Sequence, residues 1–193
     1  MVMSILLSVV IPVRQCEDAG VTLASLKRQT FQDFSAIVSP DTHGNANWAR
    51  NRGFERCSAP FVLFSDNDIQ WEPDALQVLM DTLKRNPSAS YAYGAYRHGS
   101  RINSGQDFDA EALKRKNYIS TMSVIRTEHF PGFDESLQRL QDWDLWLTML
   151  EQGHVGVFCG RTVFYTAVKL GITHNGKVSW EEAERIVKAK HRL

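Results

Sequence analysis

The stretch that decides the fold is Phe61-Val62-Leu63-Phe64-Ser65-Asp66-Asn67-Asp68, four apolar residues that lead into an acidic triplet. The apolar run predicts a short strand buried on both faces, which Ser65 and Asp66 end. Carboxylates at the end of a buried strand are costly unless a cation or a ligand neutralises them. A divalent cation held together with phosphate oxygens would do so. A capping turn is an equal alternative from the spacing alone, because Asp and Asn are common in turns.

Predicted strands and helices alternate on both sides of this stretch. Ser4 to Ile11 predicts a buried strand that Pro12 ends, and residues 34–38 and 91–96 predict two more. Helices are predicted near residues 21–31, 47–56 and 73–85, and Pro73 suits the first turn of the last of these. The resulting β-α-β-α-β-α-β order implies an α/β fold, with a mostly parallel sheet and helices on both faces. Such sheets bind ligands beyond the carboxyl ends of their strands.

The second half of the chain is less regular. Residues 98–109 are polar and predict a mobile loop, residues 118–125 predict a strand, and residues 155–168 predict one or two strands. A helix is expected over residues 142–151, and a capped amphipathic helix from residue 179 onward. We therefore expect one domain over residues 1–178, with a nucleotide-binding half at 1–97 and an acceptor half at 98–178. Residues 179–193 would form a C-terminal helix.

Composition excludes several classes of protein. Lys and Arg together number 22, as do Asp and Glu, so the net charge is zero and a strongly basic nucleic-acid surface is not indicated. The three cysteines (Cys16, Cys57 and Cys159) are far apart and form no CxxC pair, which argues against a zinc site or a disulfide framework and favours a reducing compartment. The apolar run from Ile5 to Val13 is too short to span a bilayer and lacks signal-peptide flanks. These features predict a soluble cytoplasmic protein without a membrane span.

Four polar residues are candidates for chemistry, and each has an ordinary alternative. Asp41 could accept a hydrogen bond from a ligand or be a loop aspartate, and Arg50 could bind a diphosphate or lie on a solvated helix face. Asp142 could act as a general base or merely cap a helix. His174 could be a metal ligand or a surface histidine. Taken one at a time, the ordinary alternatives are favoured.

Taken in order along the chain, the segments resemble family 2 glycosyltransferases with the GT-A fold, over roughly residues 4–176. The resemblance implies an enzyme that moves a sugar from a nucleoside-diphosphate donor to an acceptor hydroxyl, with inversion at the anomeric carbon. It also implies Mn²⁺ or Mg²⁺ as the cofactor. The matching segments are Ser8-Val9-Val10-Ile11-Pro12-Val13, Leu23-Ala24-Ser25-Leu26-Lys27-Arg28-Gln29-Thr30-Phe31, Asn47-Trp48-Ala49-Arg50-Asn51-Arg52-Gly53, Phe61 to Asp68 with Pro73-Asp74-Ala75-Leu76, Gly132-Phe133-Asp134-Glu135 and Gln141-Asp142-Trp143-Asp144-Leu145-Trp146.

The resemblance also implies roles for particular residues. Asp142 matches the general base. Asp68 would bind the metal, and His174 falls near a late histidine that joins the metal shell in some members of the family. Gln141 and Trp143 would lie on the acceptor side, although Trp143 is also expected in the core. The implied nucleotide-binding set is Pro12, Val13 and Arg14 through their backbone, Asp41 at the base, Arg50 in the pocket, Asp66 at the ribose and Asn67 mainly as a spacer.

The sequence departs from the family pattern in three places. The family usually has two acidic residues after its second strand, whereas this chain has Ser39-Pro40-Asp41, so a uridine nucleotide is favoured but not settled. Gln141 stands where the family has a glutamate beside the base. The chain is short for the family, so the acceptor pocket is either open or completed by a second copy in a homo-oligomer. The acceptor could be a glycan, a lipid-linked sugar, a protein or another hydroxyl compound.

Two other functions compete with glycosyl transfer. A nucleotidyltransferase would also use strand-end carboxylates and a metal, but it would carry a Gly-rich loop after the first strand, and no glycine occurs here before Gly20. A non-catalytic module that binds a sugar nucleotide or a glycan is the second alternative. Gln141 and the short chain keep this second alternative open.

Overall fold

The computed structural model describes residues 5–14, 17–166 and 178–193, which form an α/β fold around a single sheet. The sheet has eight strands in these residues, in the order β2-β1-β3-β7-β5-β8-β4, with β6 paired to β5. The strands are β1 Leu7–Arg14, β2 Phe34–Asp41, β3 Phe61–Phe64, β4 Ile69–Trp71, β5 Tyr91–His98, β6 Arg101–Asn103, β7 Val124–Arg126 and β8 Gly156–Thr166. The helices are α1 Gly20–Leu26, α2 Ala46–Phe54, α3 Ala75–Arg85, α4 Ala110–Arg115, α5 Gln141–Glu151 and α6 Trp180–Lys190.

Five of these strands point the same way. β1 pairs in parallel with β2 and β3, and β5 pairs in parallel with β8. β7 lies antiparallel between β3 and β5, so β5 runs in the direction of β3. The carboxyl ends of β1, β2, β3, β5 and β8 therefore share one edge of the sheet, as the predicted parallel core requires. β4 and β6 are short antiparallel additions beside β8 and β5.

Helices cover both faces of the sheet and enclose two apolar cores. One core lies under α1 and α3 and includes Leu26, Leu76 and Leu79. The other core lies under α4, α5 and α6 and includes Leu113, Trp146 and the fully buried Val187. The two-sided burial explains why β1 and β3 are continuously apolar rather than alternating.

The strand β1 runs further than the sequence predicts. Pro12 was expected to end it, but β1 continues to Arg14 and stays paired with β2 over its whole length. β3 pairs only with Leu7 to Val10, so the segment that contains Pro12 has a partner strand on one side. A proline, which lacks an N–H, is tolerated where one side of the strand carries no ladder.

The second half of the chain corrects two further expectations. Residues 98–109 were expected to form a mobile loop, but they contain β6, which pairs with β5 through the tight turn Gly99–Ser100. Residues 118–125 were expected to be a strand, yet only Val124–Arg126 pair with neighbours. In that segment the Ser120 and Ser123 side chains bond to nearby main-chain groups, which stabilises a turn instead of a ladder.

The last helix begins where the sequence predicts and packs against the body of the fold. Ser179 caps α6 by accepting a hydrogen bond from the Glu182 backbone N–H. His191, directly after α6, is buried against the carboxylate of Asp144 in α5. No helix among the described residues is long and apolar enough to cross a bilayer.

Candidate active site

The predicted nucleotide-binding residues gather at the edge where the parallel strands end. Pro12 and Val13 lie at the end of β1 with buried side chains, so only their main chain can face a ligand. Arg14 is exposed and pairs in register with Asp41, the last residue of β2. Asp66 follows β3 at the same edge. The position of these residues is the one at which α/β sheets bind their ligands.

Two residues of α1 fix the turn that carries the triplet Asp66-Asn67-Asp68. The Thr22 hydroxyl donates to the Asp66 carbonyl at 2.7 Å, and its oxygen accepts from the Ile69 N–H at 2.9 Å. Ser25 donates to the Ile69 carbonyl at 3.2 Å. Thr22 is fully buried, whereas Val21, the apolar residue that the helical spacing had suggested, is 46% exposed. The part of α1 that contacts the turn is thus polar, because the buried main-chain groups of the turn need hydrogen-bond partners there.

Arg50 contacts the triplet rather than open space. Its Nη2 lies 2.8 Å from Asp66 Oδ1, its Nη1 donates to Asn47 Oδ1 at 3.0 Å, and its side chain is only 4% exposed. The guanidinium also lies over the ring of Phe133, 5.3 Å from its centroid. Arg50 is therefore a buried counterion that orients Asp66, and its expected place in the lining of the nucleotide pocket stays a prediction.

Asparagines of α2 connect the first half of the chain to the loop before α5. Asn47 Nδ2 donates to the carbonyls of Asp134 and Leu137 at 2.9 and 3.1 Å. Asn51 both donates to the Phe133 carbonyl and accepts from the Phe133 N–H, each at 2.9 Å. The sequence analysis missed this function of the two asparagines, although both lie in segments that it had singled out.

Asp41 has one satisfied and one unsatisfied carboxylate oxygen. Oδ1 accepts from the backbone N–H groups of Asn45 at 2.8 Å and His43 at 3.1 Å. Oδ2 is buried and has no hydrogen-bond partner among the described residues. An unpaired buried carboxylate oxygen costs free energy that a ligand N–H would recover. Beside it, the rings of His43 and Trp48 lie 4.0 Å apart.

Asp142 lies in the first turn of α5, where its Oδ1 accepts from the Trp143 N–H at 2.9 Å. Burial raises the pKa of Asp142, while that N–H, the charge of Arg50 and a hydrogen bond from Asn117 act in the opposite direction. Asn117 was not predicted from the sequence. A carboxylate with a raised pKa can hold a proton more readily than an ordinary aspartate, which is the property of a general base.

The remaining predicted residues divide between the site and the core. Asn67 donates to Glu17 Oε2 at 3.1 Å and to the Asp18 carbonyl at 2.9 Å, which ties the triplet to the chain after β1. Asp68 is half-buried beside it, and Gln141 is half-buried as the first residue of α5. Trp143, which was expected in the core as well as on the acceptor side, is 2% exposed and donates to the Leu113 carbonyl at 2.7 Å.

The described residues contain no preformed cage of protein ligands for a metal ion. His174, a predicted ligand, lies outside the described residues. Within the part of the chain that the structure describes, no group of three or more His, Cys, Asp or Glu could hold a metal ion. Asp66 already shares one carboxylate oxygen with Arg50. Mg²⁺ and Mn²⁺ sites of the kind expected here need only one or two carboxylates, because substrate phosphates and water supply the other ligands.

Comparison with known protein families identifies the segment that holds most of this site. Residues 37–137, just over half of the chain, match the family described as Glycosyl transferase family 2. The chain belongs to glycosyl transferase family 2. The matched segment contains Asp41, Arg50 and the triplet, and it ends at Leu137, which Asn47 contacts. The family expected from the sequence is therefore confirmed.

Two proteins of other bacteria are similar in sequence, at low identity. An uncharacterized glycosyltransferase of Haemophilus influenzae is 22% identical over 185 residues, which cover 76% of this chain and 63% of that protein. The uncharacterized protein y4gI of Sinorhizobium fredii is 24% identical over 125 residues, or 60% of this chain and 14% of that protein. The chain thus spans less than two thirds of the length of either relative.

Solved structures confirm the GT-A fold that the family implies. The crystal structure of S. aureus TarS in complex with UDP-GlcNAc superposes with a TM-score of 0.76 at 15% identity, over 96% of this chain and 66% of that chain. A second crystal structure of S. aureus TarS gives a TM-score of 0.68, also at 15% identity, over 95% of this chain and 42% of that one. At this identity the similarity establishes the shared fold.

Proposed function

We propose that the chain catalyses metal-dependent, inverting transfer of a sugar from a uridine-diphosphate donor to an acceptor hydroxyl. The observation that carries the proposal is the position of Arg50 between the two candidate centres. Arg50 binds Asp66 at 2.8 Å, and its charge also acts on Asp142. One buried cation thus couples the triplet, where the donor would bind, to the carboxylate that would activate the acceptor.

The base-binding residue favours uridine. In Asp41, Oδ1 already accepts hydrogen bonds from two backbone N–H groups, so only Oδ2 remains for a ligand. The imide of uracil presents a single N–H donor, whereas guanine presents an N–H and an adjacent amino group, which call for two acceptors side by side. Because Oδ2 is closed off from solvent, entry of a base requires a local rearrangement beside Asp41. The UDP-GlcNAc bound to TarS is consistent with this choice.

The metal would be held by Asp68, with His174 as a second candidate ligand. Oxygen and imidazole donors suit Mn²⁺, and oxygen donors suit Mg²⁺. When bound, such an ion offsets charge on the donor's diphosphate. Asp66, held by Arg50, would approach the ribose. Thr22 and Asn67 fix the turn, so the carboxylates keep their orientation when the donor arrives.

Asp142 would act as the general base. Its carboxylate would accept the proton of the acceptor hydroxyl while that oxygen attacks the anomeric carbon from the face opposite the diphosphate, and the configuration at that carbon would invert. Asn117 would orient the carboxylate. Burial, which raises the pKa of Asp142, matches the proton affinity to this task.

Donor binding and donor hydrolysis test the proposal together. We expect UDP to raise the melting temperature of the protein, and the increase to be larger with Mn²⁺ than without it. We also expect slow release of UDP from UDP-sugars in the absence of an acceptor. A protein that binds UDP but releases none from any UDP-sugar would be a binding module instead. Failure of every nucleoside diphosphate to raise the melting temperature, with and without metal, would refute the proposal.

A further inference from the structure

One face of the hairpin of β5 and β6 carries two basic side chains, His98 and Arg101, near the proposed active site. β5 ends at the same sheet edge as β1, β2 and β3, so its hairpin extends beyond that edge. His98 pairs in register with Thr166 of β8, and Thr166 pairs with Ile69 of β4. Ile69 directly follows Asp68, so His98 lies two strand spacings, about 10 Å, from the end of the triplet.

The register of the hairpin determines which side chains share this face. Tyr96 pairs with Asn103, and His98 pairs with Arg101. Residues paired across antiparallel strands lie on one face, as do residues two apart along a strand, so these four side chains are neighbours. Arg97 lies on the other face, with its guanidinium 5.6 Å from the ring centroid of Tyr165.

An aromatic row connects this face to the triplet. Tyr96 stacks on Phe164 with a centroid distance of 5.0 Å, and Phe164 contacts Trp71 at 5.5 Å. Trp71 donates to the Ser65 hydroxyl at 3.0 Å, and Ser65 directly precedes Asp66. Burial raises the pKa of Tyr96 and the charge of Asp142 adds to the effect, so the phenol lies within electrostatic reach of the proposed base.

Among the described residues, the basic side chains on this face have no acidic partner. Arg101 and His98 are exposed, and neither forms an ion pair within the described ranges, whereas the exposed Arg161 pairs with Asp74 at 2.7 Å. The chain as a whole carries no net charge, so it does not attract anions generally. An arginine side chain can bind two phosphate oxygens at once, and a neighbouring imidazole can add a third hydrogen bond.

We propose that His98 and Arg101 bind a phosphate group of the acceptor, while Tyr96 and Asn103 line the path along which its hydroxyl reaches Asp142. This inference rests on the proposed function and names the class of acceptor that it would use. Asp41 at the end of β2 and the triplet after β3 define the donor, and the hairpin lies on the far side of the triplet from Asp41. Tyr96 and His98 are two positions apart along the strand, so the hydroxyl would lie on the order of 7 Å from the phosphate.

The test measures binding of glycerol 3-phosphate to the protein while saturating UDP and Mn²⁺ occupy the donor site. The wild type is expected to bind glycerol 3-phosphate at least about tenfold more tightly than glycerol or glycerate. The double variant His98→Gln/Arg101→Gln is expected to lose that preference and to keep its UDP affinity. Arg85→Gln is the matched control: this arginine is also exposed but precedes β5, at the opposite edge of the sheet, and its replacement should change neither affinity.

The outcomes separate the two proposals. Failure of the wild type to bind UDP contradicts the proposed function, whereas normal UDP binding without a phosphate preference contradicts only the acceptor class. A loss of UDP affinity in the double variant would also contradict the proposed acceptor site, because the hairpin would then contribute to donor binding.

Vesicles of phosphatidylglycerol in phosphatidylcholine identify the source of the phosphate. If the protein binds the vesicles and this binding depends on Arg101, the acceptor is a lipid. If the protein binds glycerol 3-phosphate but not the vesicles, the acceptor is soluble. Either result supports the phosphate site.

Discussion

At the scale of single residues, Asp142 carries the strongest prediction. Asp142→Asn removes the proposed base and should lower sugar transfer by about 100- to 10,000-fold. UDP affinity should remain at the wild-type value, because Asp142 lies outside the donor set. Initial rates and UDP titrations on both proteins provide the comparison. The melting temperature should stay the same or rise, since the variant no longer buries a charge whose desolvation is unfavourable. Full transfer activity in this variant would remove Asp142 from the mechanism.

The pH dependence of the wild type follows from the same carboxylate. A general base works only when deprotonated, so activity should fall as the pH is lowered through the pKa of Asp142. Because burial raises that pKa, the fall should be centred above the ordinary aspartate value of about 3.9. A profile of kcat against pH with saturating donor measures it. An acid limb at or below the ordinary value would mean that the titrating group is a different, more exposed carboxylate.

Asp41 offers a prediction about the choice of base. Asp41→Asn can keep Oδ1 as the acceptor for the two turn N–H groups while placing an amino group at the Oδ2 position. The amino group cannot accept from the N–H of uracil but can donate to the ring nitrogen of cytosine. UDP affinity should therefore fall about 10- to 100-fold, and CDP should gain relative to UDP. Equal losses for both nucleotides would argue that the substitution had disturbed the turn instead.

At the scale of helices and strands, the contact between α2 and the sheet depends on the small size of Gly53. A Cβ added at Gly53 would lie 2.3 Å from Val10 Cγ1 and 3.1 Å from Ser39 Cβ, both in buried parts of β1 and β2. Gly53→Ala should lower the free energy of unfolding by about 1–3 kcal/mol. Because α2 carries Arg50, UDP affinity should fall as well. Urea titration of the variant beside wild type checks the stability, and no loss would mean that α2 can shift away without cost.

The sequence predicted well those helices and strands whose apolar residues recur at a regular spacing within the element itself. β1, β3, α3 and α5 each have enough apolar residues in regular spacing to identify them. β4 has three residues and pairs with β8, some 95 positions later in the chain, so nothing local distinguishes it from the turn before it. The same is true of β6, whose polar sequence suggested a loop. The burial of Arg50 was also unpredictable from spacing, because it depends on the loop of residues 132–137 closing over α2.

At the scale of the whole molecule, the sheet curls so that β4, the strand at one end, returns to the end of β3. β3 and β4 are separated by β7, β5 and β8 in the sheet order, yet only the residues from Ser65 to Asp68 connect them along the chain. Trp71 of β4 reaches back to Ser65, and Thr22 of α1 holds both ends of the turn. The triplet is therefore fixed by the return of β4 to β3, which explains how the two carboxylates keep their orientation.

The last helix is tied to the fold by polar contacts around the buried side chains of Asp144 and His191. Asp144 Oδ1 in α5 lies 2.8 Å from His191 Nε2 and 2.8 Å from Lys190 Nζ, and His191 Nδ1 lies 2.8 Å from Glu151 Oε1. Lys190 also binds Asp134, whose pKa is about 2: hydrogen bonds from Lys190 and Ser136 outweigh the effect of burial, which acts to raise it. Asp134 lies in the loop that Asn47 holds, so these contacts join α6 to the structure that supports Arg50.

Loss of His191 should therefore weaken the whole fold. Both ring nitrogens face carboxylates, so His191→Ala would leave the buried Asp144 with Lys190 as its remaining partner. Deleting a buried side chain that makes two hydrogen bonds costs about 2–3 kcal/mol, and thermal unfolding should show this as one cooperative transition at lower temperature. Arg185→Ala on the same helix breaks only the exposed pair with Glu182 and should leave the midpoint unchanged. If His191→Ala instead melts in two steps, with the sheet unfolding at the wild-type temperature, α6 is an appendage and does not stabilise the site.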